Sequence, residues 1–246
     1  MYNSNESCIC KKIFNGENKT EASYEHSLAD YFPKIKRVLN VACDARLTGV
    51  YINGEKIEYD GVISCSVMYQ AEDKSLQCAD VKFDFSDYIN IKNENAKTAD
   101  VVVKLENCAL RVLDPRKISL KARINACINA WGDEYLTVQN EGVTLCEDEK
   151  QISTVQVQSA QISVSEEMGI GASEDIAIPS EYPEAERIIT VYVFPQITEL
   201  TPQTNSIVFK ATVTGIVVYQ TVPNEIGESG VTFLPISVGL SNIFSQ

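Results

Sequence analysis

Positive charge is scarce in this chain. Lys and Arg total 21 against 34 Asp and Glu, a formal net charge of −13. Polyanions are bound through a basic footprint, so nucleic acid and anionic membrane are not expected partners. Histidine occurs once, at His26. The motifs G-x-S-x-G, G-x-x-x-x-G-K-[ST] and H-E-x-x-H are missing, and with them the usual signs of a nucleophile elbow, a P-loop or a zincin helix. No catalytic residue is assigned, and the chain is read as non-enzymatic. The 8 cysteines, at positions 8, 10, 43, 65, 78, 108, 127 and 146, form no C-x-x-C pair. Structural zinc favours such pairs, so no metal and no cofactor is assigned. No uncharged apolar run approaches the about 18–20 residues of a spanning helix. The opening residues, MYNSNESCICKK, lack the basic-then-apolar pattern of a secretory signal. Leucine is sparse too, 13 residues against 24 Ile and 24 Val. A helical core would reverse that ratio, whereas β-branched side chains suit a pleated surface.

What is present alternates. Positions 39, 41, 43, 45 and 47 are Leu39, Val41, Cys43, Ala45 and Leu47, and positions 57 to 69 carry an apolar or small residue at every odd number. This is the period of a half-buried strand. Between them Asn53-Gly54 signals a turn. A three-residue loop, Asn53-Gly54-Glu55, would pair odd with odd and set Cys43 opposite Cys65. Residues 99–112 and 118–131 form a second candidate hairpin around Asp114-Pro115-Arg116. There Leu120, Ala122, Ile124, Ala126 and Ile128 alternate with a polar side that includes Lys121, Arg123 and Asn125. Residues 152–165 read as a further polar strand or pair. Gly169-Ile170-Gly171-Ala172 reads as a linker, and one short helix is expected within residues 21–36, limited by Pro33.

The chain also repeats itself. Pro33, Arg37, Val41, Ile57, Val67, Tyr69 and Gln70 match Pro183, Arg187, Val191, Ile207, Val217, Tyr219 and Gln220 at an offset of 150. The match resumes at an offset of 155, where 240–244 parallels 85–89, the extra residues falling in a Gly/Pro-rich loop that tolerates insertion. The expected fold is all-β, with two related β-sandwich-like repeats preceded by an extended N-terminal arm. The expected domains are a flexible arm at 1–28, a first repeat with an extra hairpin at 29–150, and a shorter second repeat at 151–246. No counterpart of the 99–131 hairpin follows the second repeat. Either that repeat is smaller, or segment 99–165 serves both, or a strand from another subunit completes it.

Charge and thiols suggest where copies could join. Residues 151–246 hold two basic and ten acidic side chains, and most of the positive charge lies in the first half. Arg116, Lys117, Lys121 and Arg123 form a candidate assembly patch, complementary to the acidic half of a neighbour. Cys8 and Cys10 would project to one side of an extended arm, and Cys127 falls on the polar side of its strand. These three are the cross-link candidates. Cys43 and Cys65 read as small buried hydrophobes or as a cross-strand disulfide.

The entry Tyr31-Phe32-Pro33-Lys34-Ile35-Lys36-Arg37-Val38-Leu39-Asn40-Val41, the strand 61–69 and the closing Asp84-Phe85-Ser86-Asp87-Tyr88-Ile89 resemble the SPOCS family, a β-rich domain found in tandem in spore-coat assembly proteins of clostridia. The resemblance recurs at 182–191, 211–219 and 239–244. It carries no catalytic residues. It implies a structural protein of the spore envelope, made in the mother-cell cytoplasm and deposited on the spore coat or surface. Its expected partners are itself, as a homo-oligomer or polymer, and other spore-envelope proteins. An adaptor that binds another coat protein without polymerising is the alternative. No LysM module of the kind the best-known member carries is legible in these residues, which favours a smaller structural component.

Overall fold

In the computed structural model the described residues are 5–92, 96–138, 171, 173–204, 206–223 and 229–245. Nine strands account for most of them: β1 (Asn5–Ser27), β2 (Ile35–Asn53), β3 (Lys56–Ala71), β4 (Leu76–Asn90), β5 (Ala96–Asp114), β6 (Lys117–Val138), β7 (Ala185–Gln203), β8 (Ser206–Thr221) and β9 (Val231–Ser245). They form three three-stranded sheets, ordered β1-β6-β5, β2-β3-β4 and β7-β8-β9. The fold is all-β, and among the described residues there is no helix.

The repeat holds strand by strand. β7 and β8 begin and end 150 residues after β2 and β3, and β9 begins and ends 155 residues after β4. Two of the residues that carry the sequence repeat, the proline and the tyrosine, make the same bond in both copies. The Tyr69 hydroxyl donates to the Pro33 carbonyl at 3.1 Å, and that of Tyr219 to the Pro183 carbonyl at 2.8 Å. Both tyrosine rings are fully buried, and a buried hydroxyl needs a partner, so this bond pins each entry turn to the middle strand of its sheet. The entry turns also match, with Phe32 N donating to Ala29 O and Tyr182 N to Pro179 O.

Two expectations for the first residues are overturned. Residues 5–27 are not a flexible arm but β1, which pairs antiparallel with β6 from Asn5↔Val138 to Ser27↔Lys117. The polar composition that suggested a tail belongs to a strand with one solvated face. Glu21, Ser23 and Glu25 lie outward, while Ala22 and His26 are half-buried on the other side. The short helix expected in 21–36 is absent, since β6 supplies the backbone partners up to Ser27 and a turn follows. His26 is therefore held in a strand, with the Tyr24 ring 6.3 Å away.

Contacts divide the chain into two compact units. One comprises Met1–Ser27, Cys43–Cys65 and Val81–Glu167, the other Leu28–Ala42, Ser66–Asp80 and Met168–Gln246. This division differs from cuts at 28 and 150, because β2, β3 and β4 contribute to both units. At about 3.3 Å per residue a strand as long as β2 runs roughly 60 Å, enough to serve two cores. In the first unit β1-β6-β5 packs on β2-β3-β4. Ile57, Tyr59 and Ile63 of β3 and Leu120, Ala122, Ile124 and Ile128 of β6 are fully buried or nearly so.

Two local irregularities set the facing of side chains. The β2–β3 turn is the two-residue Gly54-Glu55, not the expected three-residue loop. Gly54 has φ +59° and Glu55 does not share the positive φ, the sign pattern of a type II′ hairpin. That turn alone would pair odd with even. The burial phase of β2 then slips at Gly49–Val50, both half-buried, which restores odd facing odd further along. The second copy has a register shift next to the corresponding place, between Ile197 and Glu199, the counterparts of Leu47 and Gly49. In β5 the register against β6 shifts between Leu105 and Asn107. Val101, Val103 and Leu105 lie opposite buried residues of β6 before the shift, and Cys108 and Leu110 lie opposite Ala122 and Leu120 after it.

Candidate functional site

The second slip decides what chemistry the first unit contains. Without it Cys108 would point to the solvated face of its sheet. With it Cys108 turns inward, where Cys43 of β2 and Cys65 of β3 already face. The sulfur of Cys43 lies 2.9 Å from that of Cys108, and Cys65 Sγ lies 3.8 Å from it. All three sulfurs are within 4.8 Å of one another. Cys65 is buried, whereas Cys43 and Cys108 are half-buried and sit on the end strands β2 and β5 of the two sheets. Hydrogen bonds from Cys43 and then Cys65 hold the Cys108 thiol well below its usual range, while the same bond to Cys108 pushes the Cys43 thiol up.

Linear spacing does not reveal this cluster, because its members come from three strands. The chain has no C-x-x-C, and strand alternation alone brings only Cys43 and Cys65 together. The available signal was the apolar phase of β5, which runs on odd numbers through Leu105 and on even numbers from Cys108 to Val112. That break marks a bulge.

At the other margin of the same two sheets the joint is polar. Asn18 Nδ2 donates to Tyr59 Oη at 2.9 Å and to Asp87 Oδ2 at 3.0 Å, and Thr20 Oγ1 donates to the same carboxylate oxygen. Burial raises the Tyr59 pKa above its ordinary value. The Asn18 amide is thus engaged in joining the two sheets.

The expected assembly residues are placed as follows. Cys10 lies opposite Asp133 and is half-buried, and Cys8 lies in β1 opposite Tyr135. Cys127 is half-buried on the central strand β6, between Glu17 and Val102. Lys121 and Arg123 both reach Glu21 at 2.6 Å, and Lys117 reaches Glu25 at 2.6 Å. Arg116 donates its backbone N–H to Asp114 Oδ1 at 2.7 Å. Three of the four side chains of this patch therefore answer carboxylates of β1 in the same chain. Cys146, residues 152–165 and most of the 169–172 linker lie outside the described residues.

Residues 34–113, which span β2 to β5 up to its penultimate residue and include all three clustered thiols, match the family model of the SipL SPOCS domain. This stretch of the chain is similar to a SPOCS domain. The likeness is to a domain of a sporulation-related protein family, and it covers about a third of the chain. The matched residues include β2, β3 and β4 of the first copy; β7, β8 and β9 repeat the lengths of those strands and their Tyr–Pro bond. No curated protein and no solved structure matches the chain. Among the described residues, no helix is long and apolar enough to cross a membrane.

Proposed function

We propose that this SPOCS protein is a non-enzymatic structural component of the bacterial spore envelope, made in the mother cell and deposited on the coat or surface, where copies associate with one another. What supports association is one face of the β7-β8-β9 sheet. In the first copy Ile57 is 0% exposed under the β1-β6-β5 sheet, while its counterpart Ile207 is 43% exposed. On β7 Val193, Ile197 and Leu200 lie on the same face, opposite Gly215, Ala211 and Phe209, and Ile197 and Leu200 are 63% and 61% exposed. Contiguous exposed apolar surface is a mark of an association site. The end strands β7 and β9 add backbone donors and acceptors that a neighbouring strand can use.

β1 is paired with β6 inside the chain, so association through a free arm gives way to association through sheet faces and margins. Light scattering and negative-stain microscopy of the full chain test this. Dimers or larger assemblies are expected, with and without reductant, and Ile197→Lys combined with Leu200→Lys should disperse them. A wild-type chain that stays monomeric at high concentration refutes self-association and leaves the adaptor reading.

A further inference from the structure

We infer that Cys43, Cys65 and Cys108 form an intrachain thiol–disulfide exchange centre, in which Cys108 is the shared partner and a disulfide to it bonds the two sheets of the first unit together. The placement carries the argument. Cys108 belongs to β5 of one sheet, and Cys43 and Cys65 belong to β2 and β3 of the other. Either bond to Cys108 is therefore a link between sheets, whereas a Cys43–Cys65 bond would stay within one. The nearer pair, Cys43 and Cys108, is half-buried on end strands, where a small oxidant can reach it, and the buried Cys65 stands behind it.

A shared metal ion fits less well. Tetrahedral zinc with Zn–S near 2.3 Å holds its sulfurs about 3.8 Å apart. The Cys65–Cys108 separation of 3.8 Å meets that demand, but the 2.9 Å between Cys43 and Cys108 is too close for two thiolates on one ion. Among the described residues the cluster also offers three ligands and no fourth. Disulfide formation asks the reverse, that two sulfurs approach further.

The chemistry balances with a low-molecular-weight disulfide, such as oxidised glutathione, as oxidant. The Cys108 thiolate attacks one sulfur of the oxidant, its S–S bond breaks, and one thiolate leaves, giving a mixed disulfide on Cys108. Cys43 then loses its proton and attacks the Cys108 sulfur, expelling the second thiolate. Two protein thiols have given up two electrons and two protons, and the oxidant has become two small thiols. Cys65 can next attack Cys108 and release Cys43, an exchange with no net oxidation. The depressed pKa of Cys108 favours the first attack, since the thiolate is the nucleophile. In a reducing compartment all three remain thiols, and the link closes when the surroundings turn oxidising.

The test uses the full chain, reduced, freed of reductant and incubated with oxidised glutathione. Non-reducing peptide mapping by mass spectrometry should find Cys43 joined to Cys108. Cys65→Ser should keep that link, Cys43→Ser should replace it with Cys65–Cys108, and Cys108→Ser should abolish both. Because the two variants other than Cys108→Ser each retain a link, loss of folding in that variant does not remove the test. The inference is overturned if Cys108 stays free, stays in a mixed disulfide, or maps to Cys10 or Cys127. It is equally overturned if the protein purifies with a stoichiometric soft metal that blocks alkylation of the three thiols.

Discussion

Replacing Tyr69 and Tyr219 by Phe, one at a time, probes the bond on which the repeat is built. Each substitution keeps the ring and removes one hydroxyl that donates to a proline carbonyl, at 3.1 Å for Tyr69 and 2.8 Å for Tyr219. A hydrogen bond of this kind contributes about 1 kcal/mol net, and an acceptor left dry costs about 1–3 kcal/mol. The two acceptors differ in their access to water. Pro33 is half-buried and Pro183 is exposed, so water replaces the lost donor more readily at Pro183. Tyr69→Phe should then cost about 1.5–2 kcal/mol and Tyr219→Phe about 0.5–1 kcal/mol. The shorter bond at Tyr219 argues the other way, but the difference of a few tenths of an ångström is outweighed by rehydration. Global unfolding is a poor readout for a chain with two compact units. Native-state hydrogen exchange is local: the amides of Glu72 and Val222 donate to the carbonyls of Lys34 and Glu184, next to the two prolines. Exchange at Glu72 should quicken about 10–30-fold in Tyr69→Phe, and at Val222 only a few-fold in Tyr219→Phe, since 1–2 kcal/mol is a factor of about 5–30. Equal effects, or a larger one at Val222, would refute the argument from rehydration.

Two further outcomes follow from the first unit. A Cβ at Gly61 would lie 2.6 Å from the Arg46 carbonyl oxygen and against the Phe85 ring; Gly61→Ala should therefore destabilise by about 1–3 kcal/mol, read as a lowered thermal midpoint, and an unchanged midpoint would mean that β2 yields freely. Glu21 is held near a pKa of about 2 by hydrogen bonds from Lys121 and then Arg123. A depressed carboxyl stabilises the folded state above its unfolded value of about 4.5, and the contribution fades as pH falls toward about 2. Thermal unfolding of wild type against Glu21→Gln across that window should converge as pH falls, and parallel curves would count against the pair.

The all-β class, the repeat and the inward side of β6 were legible in the linear order of residues. They depend on short-range periodicity, and a period of two survives in the sequence wherever one face of a strand is buried, as Leu120 to Ile128 illustrate. The repeat was legible because Pro33 with Tyr69, and Pro183 with Tyr219, make the same bond at the same separation. The first 28 residues misled because a solvated edge strand and a loose tail share a polar composition, and only pairing with β6 distinguishes them. The charge patch was legible as charge, but its partners Glu21 and Glu25 are near it only through that same pairing.

Sequence alone therefore determined that this is a duplicated β protein with little sign of catalysis. Tertiary structure decided which thiols meet, since Cys43, Cys65 and Cys108 are brought together by one-residue slips in β2 and β5. A slip of one residue exchanges the two faces of a strand, and whether it occurs is settled by the packing of two sheets, which no local pattern records in full.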